Sequence, residues 1–196
     1  LGIVVIVCAM AACSSSSDQL LSPVKVEIVK TDSGYQLFRG GEPYTIKGAG
    51  MAIEDIERFA SHGGNSIRNW TTTSEYQDVR ELLDAAHAND VTVALCLPMQ
   101  AERHGFDYDD PEAVAAQLES FREEVIRYRD HPALLTWIIG NELNHSYTNP
   151  KVYDAVNDVA KMIHELDPNH PTTTTVSGFW ESVISEIQTR APEIDF

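Results

Sequence analysis

Apolar positions along this chain follow two alternating rhythms. Short dense apolar runs, bounded by glycine, proline or polar residues, read as strands buried on both faces, as in a parallel sheet. The strongest is Leu134-Leu135-Thr136-Trp137-Ile138-Ile139-Gly140, followed at once by Asn141 and Glu142. Further strands are expected at 45–49, 65–70, 91–97 and 172–176, and another begins at 194–196. Between them the apolar residues take helical spacing. Val79, Leu82, Leu83 and Ala86 mark a helix over 75–88, and Val114, Leu118, Phe121, Val125 and Tyr128 mark one over 111–129, opened by Pro111. Helices are also expected at 54–61, 150–166 and 180–189. Upstream, 24–29 alternates like an edge strand, and 35–46 reads as a hairpin around Arg39-Gly40-Gly41-Glu42-Pro43.

Alternation this regular predicts parallel strands joined by right-handed crossovers. Two architectures satisfy it. A doubly wound nucleotide-binding sheet needs a glycine-rich phosphate turn after its first strand. Gly48-Ala49-Gly50-Met51-Ala52-Ile53 offers two glycines and lacks the third. Polar residues instead close the second, third and fourth strands, as the mouth of a barrel requires. The expected fold is therefore an α/β (β/α)8 TIM barrel over 24–196, preceded by a short β-hairpin region and truncated after about five βα units. The chain starts at Leu1 and stops at Phe196 inside a new strand, so an incomplete domain is expected.

Charge and cysteines narrow the setting. Thirty acidic against 14 basic residues leave a formal net charge of −16. Such a surface repels phosphate backbones, so nucleic acid is not an expected partner. Residues 1–12 are apolar but too short to span a bilayer, and they run into Cys13 and four serines. Met10-Ala11-Ala12-Cys13 is similar to a bacterial lipobox. On that reading 1–13 is a lipoprotein signal peptide, Cys13 carries lipid, and 14–23 is a polar tether to the membrane of a cell envelope. A plain signal peptide ending near a cysteine, with secretion, is the alternative. Cys96, alone in an apolar strand, is expected to be a small buried hydrophobe, and no disulfide is expected.

The acid at the end of the strongest strand is the candidate for chemistry, because barrel enzymes carry theirs at the C-terminal strand ends. A helix cap or an ion pair with an arginine is its bland alternative. The surroundings decide between them. Asn65-Ser66-Ile67-Arg68-Asn69-Trp70, Ala85-Ala86-His87, His131-Pro132-Ala133-Leu134-Leu135, Gly140-Asn141-Glu142 and Asp167-Pro168-Asn169-His170-Pro171 follow in order. Together, over roughly 38–196, they resemble the (β/α)8 catalytic domain of clan A glycoside hydrolases, particularly families 2 and 5. The resemblance implies a retaining glycosidase with Glu142 as general acid/base. Asn141 matches the amide that binds the sugar 2-hydroxyl, and Arg68 the arginine that orients the nucleophilic carboxylate.

Each has a structural alternative: Arg68 as an ion pair with Glu142 or Asp55, Asn141 as a turn residue. Trp70 and Trp180 read equally as sugar-stacking platforms or as packing, and Trp137 as core. The loop 100–108, with His104 among its charged and aromatic residues, is placed to supply substrate contacts. His131 and His170 precede prolines on the stability face, and His87 and His164 sit in helices. No cluster has metal-ligand spacing, so neither a metal nor a cofactor is expected. The nucleophile, a glutamate on the seventh barrel strand, is expected downstream. A carbohydrate substrate follows. The runner-up is a lipid-anchored barrel that binds carbohydrate without cleaving it.

Overall fold

The computed structural model describes residues 22–32, 34–73 and 78–196. The signal peptide, Cys13 and nearly all of the tether lie outside the described residues, as do 75–77 of the expected second helix.

The first unit is a three-stranded antiparallel sheet, β1 (Val26–Thr31), β2 (Gly34–Arg39) and β3 (Glu42–Pro43). The expected hairpin is there, and its turn is Gly40-Gly41, both at positive φ (60° and 83°). The edge strand upstream lies two residues later than the expected 24–29 and pairs with β2 along its whole length.

Then come β4 (Gly48–Gly50), α1 (Ile56–Ser61), β5 (Ser66–Arg68), α2 (Val79–Ala88), β6 (Thr92–Leu97), α3 (Pro111–Tyr128), β7 (Leu134–Asn141), α4 (Lys151–Leu166), β8 (Thr172–Thr175) and α5 (Glu181–Arg190). The five strands β4 to β8 pair in parallel in chain order. This is the winding of a (β/α)8 barrel, and among the described residues the sheet is an open arc with β4 and β8 at its edges. No sixth strand is assigned at 194–196. Its first contacts are in place nonetheless: Asp195 N–H donates to Thr172 O at 3.1 Å, and Thr173 Oγ1 to Phe196 O at 2.5 Å.

Local chemistry explains the element boundaries. Asp78 and Asp110 cap α2 and α3, each carboxylate accepting two backbone N–H bonds from the first turn. β5 is shorter than the strand expected over 65–70: Asn69 is buried and its Oδ1 accepts the Cys96 N–H at 2.8 Å. Trp70 therefore lies past the strand. The apolar strands pack against one face of each helix: Leu82, Leu83, Leu95, Leu97, Val125, Trp137, Ile139, Val156 and Ile163 are all fully buried. Cys96, between Leu95 and Leu97 and so on the other face of β6, is also buried, beside Arg68 and Gly140; burial pushes its thiol up to about 11, so it stays a thiol.

The antiparallel sheet sits under the N-terminal ends of the parallel strands. Val26 N–H donates to Asn169 O at 2.7 Å, Arg39 Nη2 to Pro132 O at 2.8 Å, and Tyr44 OH to Asn65 O at 2.7 Å. Every acceptor lies in a segment leading into a barrel strand. The opposite end of the barrel is left to the loops that follow the strands.

Candidate active site

The geometry of Glu142 begins with an irregularity in β7. Ile138 pairs with Thr173 but Asn141 pairs with Thr175, so Ile139 and Gly140 together oppose Thr174. This is a β-bulge, which bends a strand and re-aims the side chains beyond it. Gly140 takes φ 73°, and a Cβ there would stand 2.7 Å from Leu143 Cδ1, so only glycine fits. Glu142 follows at φ 50°. For a residue with a side chain this left-handed backbone costs about 1 kcal/mol and persists only where neighbours hold it.

They do so at both ends of the residue. Glu142 N–H donates to Thr175 O at 3.1 Å, and Glu142 O accepts from Arg103 Nη1 at 2.6 Å and from His145 N–H at 3.0 Å. The side chain is treated differently. Glu142 is exposed, and its carboxylate makes no hydrogen bond or ion pair among the described residues. It does not cap the next helix, whose N-terminus at Pro150 has no side-chain cap.

Asn141 is half-buried beside it. Its Oδ1 accepts a short hydrogen bond from Arg68 Nη2, and also Thr175 Oγ1 at 3.4 Å. Arg68 pairs with neither Glu142 nor Asp55; Asp55 goes to Arg58 at 3.1 Å. Arg68 Nε is buried and has no hydrogen-bond partner among the described residues. The guanidinium also lies 5.6 Å from the centre of the Trp70 ring, within reach of a cation–π contact. Arg68, Asn141 and Glu142 thus stand in one row at the C-terminal ends of β5 and β7, with Trp70 at their flank.

Trp70 is 51% exposed and shields Gly50, where a Cβ would come within 2.7 Å of the ring. Trp180, 57% exposed, folds over Gly178 next to Phe179, which is 88% exposed. Both tryptophans therefore combine packing on one side with an open face on the other. Trp137 is core, its Nε1–H donating to Asp167 Oδ2 at 2.7 Å.

The loop after β6 is less open than its composition implied. Ala101 and Tyr108 are buried, Tyr108 OH donates to Gln100 O, and the Phe106 and Tyr108 rings meet at a tilt of 56° with centres 4.8 Å apart. His104 is exposed, its N–H donates to Ala101 O at 2.9 Å, and its ring makes no hydrogen bond or ion pair among the described residues, to Glu142 or to any other. Its neighbour Arg103 reaches the site instead, by the two carbonyls of Asn141 and Glu142. The sequence held no sign of this, because a backbone carbonyl has no residue type. Among the described residues no group of three His, Cys, Asp or Glu side chains is arranged to hold a metal ion.

The family model "Glycosyl hydrolases family 2, TIM barrel domain" matches residues 48–191. A mannan endo-1,4-beta-mannosidase F from Aspergillus clavatus is 38% identical over 63 residues, covering 32% of this chain and 14% of that one. Among solved structures, a β-glucuronidase of Faecalibacterium prausnitzii superposes with a TM-score of 0.59 at 17% identity, covering 80% of this chain and 29% of that one. An endo-1,4-β-mannanase of Eisenia fetida does so with 0.57 at 18% identity, covering 78% and 62%. At such identities the superpositions show the fold. The chain spans only part of each relative's length. With the family model covering β4 to the end of α5, the chain belongs to the glycosyl hydrolases family 2, and 48–191 is its TIM barrel domain.

Proposed function

We propose that the protein is an exported retaining glycoside hydrolase, or transglycosylase, that cleaves β-linked O-glycosidic bonds in a poly- or oligosaccharide. One observation carries this reading: Glu142 has its backbone fastened at both ends while its carboxylate, at a barrel strand end, has no partner among the described residues. A capping or ion-paired glutamate has the reverse arrangement. Glu142 is then the general acid that protonates the departing oxygen and the base that deprotonates the incoming water. Arg68 holds Asn141 by its Oδ1, which leaves the Nδ2 donors of the amide free for the sugar 2-hydroxyl. The nucleophilic glutamate is proposed to come from the seventh barrel strand, downstream of Phe196, about 5 Å from Glu142 in the finished site. The free N–H groups of Arg68 are suited to orient it.

The test uses the intact protein on 4-nitrophenyl β-glycosides. The names of the relatives put β-mannosides and β-glucuronides first in the panel. Replacing Glu142 with Ala should lower turnover of an unactivated oligosaccharide by on the order of 10²–10⁴-fold. Added azide should restore turnover of the activated glycoside as a β-glycosyl azide. Undiminished hydrolysis would sink the assignment.

We also propose lipidation of Cys13 and a place in the cell envelope, supported by the order of apolar run, Ala-Ala-Cys and polar tether. Wild-type protein should then partition into detergent, and Cys13→Ser should release it or block its processing. Soluble wild-type protein that retains residues before Cys13 would contradict this.

A further inference from the structure

Arg103 and Glu102 are adjacent, opposite in charge, and turned away from each other. They sit in a short 3-10 turn, Glu102–His104, in the loop after β6. Glu102 reaches the loop after β7, where its carboxylate accepts Thr148 N–H at 2.6 Å, Thr148 Oγ1 at 2.5 Å and Asn149 N–H at 2.9 Å. These bonds, the Thr148 hydroxyl foremost, hold Glu102 below the usual carboxylate range. A second tie runs parallel, Lys151 Nζ to Asp109 Oδ1 at 2.6 Å. Arg103 forms no ion pair among the described residues. Its two terminal nitrogens are spent on consecutive backbone carbonyls, Asn141 O at 3.3 Å and Glu142 O at 2.6 Å.

We propose that Arg103 is a positioning residue for Glu142: its guanidinium fork, anchored through Glu102 to the loop after β7, holds the left-handed backbone that presents the carboxylate. The inference rests on the reading of Glu142 as the acid/base. Three features support it. The contact is to backbone, so it constrains where Glu142 stands without neutralising it. The residue held is non-glycine at φ 50°, a conformation that relaxes when its supports go. The fork spans two carbonyls, a geometry that a lysine ammonium does not reproduce.

A misplaced general acid has a kinetic signature that general damage lacks. Acid assistance matters for a poor leaving group and little for a good one, and kcat/KM reports the bond-breaking step alone. The experiment compares phenyl and 2,4-dinitrophenyl β-glycosides of whichever panel sugar the intact enzyme turns over, with thermal unfolding followed in parallel. R103A should lose on the order of 10²-fold in kcat/KM on the phenyl glycoside, the loss typical of a misplacement of about 1 Å. On the dinitrophenyl glycoside kcat/KM should stay within about threefold, while kcat and KM fall together, because the same carboxylate is the base of the second step and the glycosyl-enzyme accumulates. R103K should recover only part of the loss. E102Q, further from the carboxylate, should show the same selectivity at smaller size and stands in for R103A if that variant fails to fold. E142Q is the reference. Unimpaired E142Q overturns the acid/base reading and the positioning role with it. Impaired E142Q beside unimpaired R103A and E102Q, or equal losses on both leaving groups, overturns the positioning role alone.

Discussion

The two ends of β7 carry polar groups of similar kinds and treat them in opposite ways. At the N-terminal end, Asp167 is buried and saturated: it accepts from Trp137 Nε1, from the Asn169 N–H at 3.0 Å and from His170 Nδ1 at 2.8 Å. His131 is buried nearby, accepting the Ala133 N–H at 3.1 Å and facing Asp84 at 3.0 Å. The antiparallel sheet is fastened over this end. At the C-terminal end the carboxylate of Glu142 is exposed and has no partner among the described residues, and the bonds go to its backbone. A buried acid that uses all its acceptor capacity holds a fold together. An acid held only by its backbone keeps its side chain available for a substrate. The pair sets a carboxylate whose side chain is satisfied against one whose side chain is left available, which is the arrangement the proposed acid/base role requires.

That division is open to direct attack. Glu142→Gln should lower kcat/KM on a poor leaving group by on the order of 10²-fold or more and leave the thermal midpoint unchanged. A large fall in the midpoint would place Glu142 with the structural acids. Asp167→Ala should do the converse. It strips partners from buried Trp137 and His170, costs on the order of 3 kcal/mol, and should lower the midpoint by roughly 5–10 °C. Activity per folded molecule should survive. Gly140→Ala acts on the bulge and mixes the two effects: a strained φ and a clash with Leu143 should cost about 1–3 kcal/mol and shift Glu142 enough to slow turnover by on the order of 10-fold. Retention of both properties would show that the bulge has slack.

The smallest effect concerns His131. Burial lowers its pKa below 6.5, with the bond to Asp84 opposing. The unfolded chain therefore binds the proton more readily than the folded one. The contribution of His131 is complete above its unfolded pKa and is lost as pH falls through the lower folded one. Thermal midpoints measured from pH 7 down to pH 5 should fall, and His131→Asn should flatten part of that slope. An unchanged slope would mean that other groups set the acid limit.

Much of this was legible in the chain. Dense apolar runs and 3.6-residue spacing are local properties, so the βα rhythm, the barrel and the buried places of Trp137 and Cys96 could be read without coordinates. The placement of Glu142, Asn141 and Arg68 at strand ends was legible because strand ends are where apolar runs stop, and their motifs stand in order. The boundaries of β4 and β5 were not, since they depend on which neighbour each residue meets. Nor was the distinction between His104 and Arg103, adjacent residues in one loop.

What the sequence determined by itself is the set of elements, their order and the chemical groups at their ends, because these follow from patterns within a few residues. Only the tertiary structure decided how those groups are used. The bulge at Gly140 arises from pairing with β8, the orientation of Asn141 from Arg68 on a strand two positions away, and the hold on Glu142 from a loop some forty residues earlier. Each of these is a contact to a backbone atom or across the sheet. Backbone atoms are the same at every position, so only the folded chain determines which carbonyl an arginine finds.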